Sequence, residues 1–148
     1  MTTIAASLTQ MAADSSLVMG DTKAQCCKIF RIKNSLAATA GDNEEGELFL
    51  AWLRNGGTPP KLDKELDFCA LVLTAEGIFR YEYTCQPTLL KNEFWAIGTG
   101  AAHALTAMNM GAAPEEAVAQ AIVFDINSGP PIDVFYLKVP RANAKAHR

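Results

Sequence analysis

The sequence predicts an α+β fold in which strands and helices come in groups instead of alternating as βαβ units. Three observations carry this. β-type runs fill the first forty residues, and one capped amphipathic helix then separates them from a second β-rich group. Two consecutive helices follow, and a single strand closes the chain. At 148 residues, with 49% apolar and 20% charged side chains, the chain can bury a real core and is not of disordered composition.

The elements follow in order. Residues 2–7 and 11–14 read as short small-residue strands joined by Leu8-Thr9-Gln10. Gly20-Asp21 marks a loop, and residues 27–32 and 36–39 form a second strand pair around Lys33-Asn34. Asp42 followed by Glu45 has the spacing of a capping box, with the Asp42 carboxylate satisfying free backbone N–H groups. Leu48, Phe49, Trp52 and Leu53 then share one helical face, and Gly56-Gly57 stops the helix. Residues 58–65, with Pro59-Pro60, form a linker and not a second helix. Residues 68–74 and 78–83 are strands joined through Ala75-Glu76-Gly77, and 93–97 is a further strand. Helices over 99–110 and 114–126 come next; the second has Pro114 at its first position and Glu115 and Glu116 at the positive end of its dipole. A strand over 132–139 ends the fold. The expected organisation is one domain, 1–140, with a basic tail over 141–148.

Composition excludes several classes of function. The net charge is -3 and the basic residues are dispersed apart from the tail, so there is no footprint for nucleic acid. No apolar run approaches the roughly 20 residues that cross a bilayer, and the N-terminus lacks the pattern of a signal peptide. Cysteines 26, 27, 69 and 85 have neither zinc-type spacing nor a disulfide framework. They are expected as free thiols in the cytoplasm, with no metal and no cofactor. Cys26-Cys27 is expected as half-buried strand packing, and Met19, Met108 and Met110 as core or interface filler.

Chemistry begins at the N-terminus. Threonine is small enough for Met1 to be removed, which leaves Thr2 with a hydroxyl and a free α-amine. An α-amine ordinarily titrates at about 7.7–8.0, so it can take the hydroxyl proton near neutral pH. Lys28, at the start of an otherwise apolar strand, would favour the neutral amine, and Asp14 would fix the lysine. Taken singly, each is more often a surface residue than a catalytic one. Leu36 to Asp42 runs from strand to helix through Gly41, which permits close approach; a backbone N–H there could bind a developing oxyanion, and without the other pieces a simple strand-to-helix turn explains it. Gly98-Thr99-Gly100 is a second strand–glycine–helix junction. It has a superficial likeness to a dinucleotide fingerprint, but His103 stands where the third glycine belongs. Asp125-Ile126-Asn127-Ser128-Gly129 ends the last helix, and a polar cap explains it as well as chemistry does. His103 and His147 are the only histidines, which argues against a Ser-His-Asp site.

The ordered set Thr2-Thr3-Ile4, Ala13-Asp14-Ser15, Lys28-Ile29-Phe30-Arg31, Ala40-Gly41, Ile97-Gly98-Thr99-Gly100 and Asp125-x-x-Ser128-Gly129 resembles proteasome β-type subunits and the bacterial HslV peptidase. The resemblance runs from Thr2 to about Leu137. It implies an N-terminal nucleophile (Ntn) hydrolase, a four-layer αββα sandwich that cleaves peptides or unfolded protein and assembles into homo-oligomeric rings, with an ATPase unfoldase as possible partner. By the same resemblance Thr2 is the nucleophile, Lys28 lowers its pKa, Asp14 anchors the lysine and the Gly41 amide is the oxyanion donor. Asp125 and Ser128 support the α-amine, Thr99 stands where the family has serine, and Cys26 and Thr39 border the first specificity pocket.

The chain also departs from the family. Its first hairpin is short, and the linker over 56–65 stands where the family has a second long helix, so one outer helical layer is expected to be reduced. Three rival functions follow from the same residues: a catalytically inactive proteasome-like assembly subunit, an Ntn amidase acting on a small molecule, and a nucleotide-binding module built on Gly98-Thr99-Gly100. Small and apolar residues of the 99–110 helix, Ala101, Ala102, Leu105 and Met108, are expected to serve ring assembly.

Overall fold

The computed structural model describes residues 2–138. Met1, His147, the tail over 141–148 and the end of the strand expected over 132–139 lie outside the described residues. In chain order the elements are β1 (Thr3–Ser7), β2 (Gln10–Ala13), β3 (Ser16–Met19), β4 (Thr22–Gln25), β5 (Ile29–Ile32), β6 (Ser35–Gly41) and α1 (Asn43–Asn55). They continue with β7 (Phe68–Thr74), β8 (Gly77–Tyr81), β9 (Thr88–Leu89), β10 (Phe94–Gly98), α2 (Ala101–Asn109), α3 (Pro114–Phe124) and β11 (Asp133–Tyr136).

Two antiparallel sheets face each other, one ordered β10-β1-β2-β11 and the other β5-β6-β7-β8-β9. The two-residue side-chain period of a strand decides what each face meets. In β1, Ile4 and Ala6 point into the core between the sheets, while Ala5 points to the helices on the other side. Met11 and Ala13 of β2 repeat this around Ala12. In the second sheet Leu36, Ala38, Leu71 and Leu73 face inward, while Ala37, Ala70 and Val72 face α1. The result is the expected sandwich: α2 and α3, then two sheets, then α1 alone.

The two outer layers are built differently. α2 and α3 lie on the first sheet through Ala5, Ala12, Ala96, Ala104, Ala117 and Ala121, and such small side chains let helices approach a sheet closely. On the other side Phe49 of α1 packs against Trp52, Phe68 and Tyr81 at ring distances of 5.8, 5.4 and 4.9 Å. The linker has no helix, and Leu62 from it fills the space beside α1 together with Cys85. This outer layer is one helix thick.

Several local expectations are corrected. The Asp42 carboxylate does accept from the Glu45 amide at 3.0 Å, but Glu45 turns to the linker and accepts from the Asp63 amide at 2.8 Å. α1 buries Glu45, Gly46, Phe49 and Leu50, whereas Leu48 is 48% exposed. β3 and β4 form a separate ribbon on either side of Gly20-Asp21, where only a loop was expected. Its Thr22-Lys23-Ala24-Gln25 strand has no apolar alternation because it covers no core. β9 was likewise unmarked in sequence, having two exposed residues. Of Met19, Met108 and Met110, only Met108 is core; the other two are exposed. Cys26 and Cys27 lie between β4 and β5, outside any strand, and Cys27 is exposed. All four cysteines are free. Of the four residues expected to serve assembly, Met108 is buried and Ala101 and Leu105 pack partly on this chain's own core, while Ala102 is exposed. Among the described residues no helix is long and apolar enough to cross a membrane.

Candidate active site

The site grows from the position of β1. This strand lies between β10 and β2, so the residues at its start reach the ends of both neighbours: Thr3 pairs with Gly98, and Ile4 with Ala13. Lys28 enters from the second sheet, just before β5. Thr2, Asp14 and Lys28 are all buried, with Asp14 at 0% exposure.

On the side-chain side of Thr2, Lys28 Nζ donates to Thr2 Oγ1 at 2.6 Å and to Asp14 Oδ1 at 3.0 Å. A buried carboxylate needs more than one donor. Asp14 Oδ1 also accepts from the Thr3 amide at 2.9 Å, while Oδ2 accepts from the amides of Ser16 and Gly129 at 3.1 and 3.0 Å. The cation is therefore held by an anion that is itself fixed by three backbone groups.

On the backbone side a second carboxylate collects donors. Each hydroxyl has one proton, so the direction of the chain can be read. Thr99 Oγ1 donates to Asp125 Oδ2 at 2.7 Å and accepts from Thr2 N at 3.3 Å. Ser128 Oγ donates to the same Oδ2 at 2.6 Å, which leaves Thr3 Oγ1 to donate to Ser128 Oγ at 2.7 Å. The Asn127 amide reaches Asp125 Oδ1 at 3.2 Å. Burial alone would raise the Asp125 pKa; the hydrogen bonds from Ser128, Thr99 and Asn127 outweigh it and hold the carboxyl below its ordinary value. Asp125 thus stays an acceptor, and the network points from Thr2 N through Thr99 to it.

The glycines of the 98–100 junction have a steric purpose. Gly98 has φ +99°, and a Cβ there would lie 2.0 Å from the Thr2 carbonyl oxygen. A Cβ on Gly100 would lie 1.9 Å from Thr3 Oγ1, and the Gly100 amide donates to Thr2 O at 3.3 Å. These contacts, and not a phosphate, account for the Gly-Thr-Gly run. In the sequence Thr3 and Gly129 have no role beyond their places in the matched motifs, and Ser16 is not singled out; the signal for all three is their proximity in sequence to Thr2, Ser128 and Asp14.

Thr2 and Lys28 open onto a cavity of about 680 Å³, which Cys26, Thr39 and Gly41 also line. Gly41 has φ +102°, and a Cβ there would meet Asp67 O at 2.1 Å, so the close approach of the end of β6 to the residue before β7 requires glycine. All nine residues singled out in the sequence thus fall into one connected region. Six of them, Thr2, Asp14, Lys28, Thr99, Asp125 and Ser128, are joined by hydrogen bonds around Thr2. Gly41, Cys26 and Thr39 join only through the cavity wall.

No protein-family model matches the chain, and no curated protein matches it by sequence. Solved structures do. The chain is similar to BPH of Thiobacillus denitrificans, with a TM-score of 0.69 and 21% identity over 94% of this chain and 98% of that one. Eukaryotic HslV from Trypanosoma brucei gives 0.72 and 19% identity over 93% and 99%. The Thiobacillus denitrificans BPH structure in complex with epoxomicin gives 0.66 and 20% identity over 94% and 98%. At these identities the likeness is one of fold: the chain shares the four-layer architecture of HslV and BPH across nearly its full length.

Proposed function

We propose that the protein is a threonine-type peptidase whose nucleophile is Thr2, freed by removal of Met1. The observation that carries the reading is the Lys28 ammonium 2.6 Å from Thr2 Oγ1, anchored on buried Asp14. A cation at that distance favours the alkoxide over the hydroxyl. Thr2 Oγ attacks the carbonyl carbon of a peptide bond while the Thr2 α-amine takes its proton. The Gly41 amide binds the oxyanion, the protonated amine returns its proton to the leaving nitrogen, and the C–N bond breaks. Water then attacks the Thr2 ester, with the amine again as base, and releases the acid. Thr99, Ser128 and Asp125 orient the amine. Cys26 and Thr39 contact the substrate.

The same reading includes a homo-oligomeric ring in the cytoplasm that receives unfolded protein, with an ATPase unfoldase as partner. Its support is the fold shared with HslV. Met110, Val123, Phe124 and Ile126, at 84%, 68%, 62% and 89% exposure, offer apolar surface for a further copy in addition to the exposed Ala102 of α2.

Intact mass before and after epoxomicin tests the catalytic core. The expected result is loss of Met1 and one adduct per chain, absent in Thr2→Ala. Retained Met1, or labelling that survives Thr2→Ala, refutes the reading.

A further inference from the structure

The cavity beside Thr2 extends between β5, β6 and α1, and its walls there differ from those at the nucleophile. Phe30 and Thr39 face α1 from the second sheet, and Leu50, 2% exposed, closes the opposite side. α1 sits close on β6 at this point, since a Cβ on Gly46 would lie 2.6 Å from Thr39 Oγ1. Along the helix, Asn43, Glu47 and Leu50 follow at four- and three-residue spacing, so they form one stripe toward the cavity.

Glu47 is the one carboxylate in that wall, and Lys28 is the one cation. The two are not balanced against each other, because Lys28 is neutralised by Asp14 at 3.0 Å. Glu47 forms no ion pair or hydrogen bond among the described residues. Arg54 lies two helical turns further on, about 10 Å along the axis, and its guanidinium stacks on the Phe30 ring at 5.5 Å instead. A recess with Phe30 and Leu50 on its sides and an unpaired acid suits a long aliphatic stem ending in a cation.

We propose that this recess selects a lysine or arginine side chain of the bound peptide, with its stem along Phe30 and Leu50 and its cation at Glu47. The proposal rests on Thr2 being the nucleophile only for its link to cleavage; the charge preference belongs to the cavity itself. Glu47 is exposed to solvent, so the preference is moderate: about fivefold for arginine over norleucine, an unbranched apolar side chain.

Two measurements test it. The first compares kcat/KM on fluorogenic peptide amides that differ only in arginine, norleucine or glutamate before the amide. The expected order is arginine, norleucine, glutamate, and Glu47→Gln brings the arginine-to-norleucine ratio down about fivefold, mainly through KM. An unchanged ratio in Glu47→Gln overturns the proposal. The second measures anisotropy of the same peptides, labelled, binding to Thr2→Ala, so that charge preference is read without turnover. Tighter binding of the arginine peptide, lost on adding Glu47→Gln, supports the recess even if the wild-type protein hydrolyses nothing, an outcome that would sink only the peptidase reading. Equal binding of all three peptides overturns the recess and leaves the peptidase reading standing.

Discussion

Replacing Lys28 with methionine keeps a long flexible stem but removes the ammonium 2.6 Å from Thr2 Oγ1 and 3.0 Å from Asp14 Oδ1. Removing one member of a buried pair costs about 3–5 kcal/mol, because the remaining charge is left without its partner. Asp14 keeps three backbone donors, from Thr3, Ser16 and Gly129, which argues for the lower end, about 3 kcal/mol. For a chain of this size that is a fall in Tm of about 6–12 °C. The protein still folds, since the core between the sheets is untouched. Peptide hydrolysis falls at least about 100-fold, the usual consequence of losing one preorganised electrostatic group. Thermal melts followed by circular dichroism and initial rates on a peptide amide measure both effects.

Asp14→Asn is the companion variant. Both carboxylate oxygens accept backbone N–H groups, so the amide NH₂ of asparagine must face at least one donor. It is therefore destabilising although isosteric, and the double variant costs less than the sum because the two changes share one pair. A Lys28→Met protein that melts within about 2 °C of wild type and keeps activity within about threefold would refute the argument.

Two further outcomes follow from the site's geometry. Gly98→Ala puts a Cβ 2.0 Å from Thr2 O at φ +99°, so β1 must shift at its start; a displacement of about 1 Å costs about 100-fold in rate, read against the intact fold by circular dichroism. Ser128→Ala removes a hydrogen bond of 2.6 Å to Asp125 and the acceptor of the Thr3 hydroxyl. The Asp125 pKa is depressed in the folded state, so its contribution is present above the unfolded value of about 3.9 and is lost as pH falls through the folded value. The variant is accordingly less stable than wild type at neutral pH by about 1.5–3 kcal/mol, and the gap narrows in strong acid. Melts across an acid series check this; a gap independent of pH contradicts it.

Much of this was legible locally: the strands over 2–7, 11–14 and 68–74 could be read from their small or β-rich runs. Which face each residue takes could not, because Met11, Ala12 and Ala13, like Ala70, Leu71, Val72 and Leu73, are all apolar and both faces are buried. The Asp42 cap, the Gly56 stop and the missing second helix after it were equally readable. The β3–β4 ribbon was not, because a hairpin that covers no core needs no apolar pattern. The exposure of Leu48 was not readable either: helical spacing says which residues share a face, but the direction in which α1 leans on β6 decides which is buried.

The sequence by itself determined the chemical groups: a threonine second from the start, one lysine ahead of an apolar strand, two aspartates and the hydroxyls near them. It determined the layers as well, since strand and helix periods are local properties of the chain. Only the tertiary structure decided that Lys28, 26 residues from Thr2, and Thr99, 97 residues away, meet it from two sides. The same is true of Glu47 in the cavity wall, which the sequence left as an ordinary helix-surface acid. Such meetings depend on the register of β1 against β10 and on how closely alanine-faced helices settle on a sheet, and those distances are set by packing across the whole molecule.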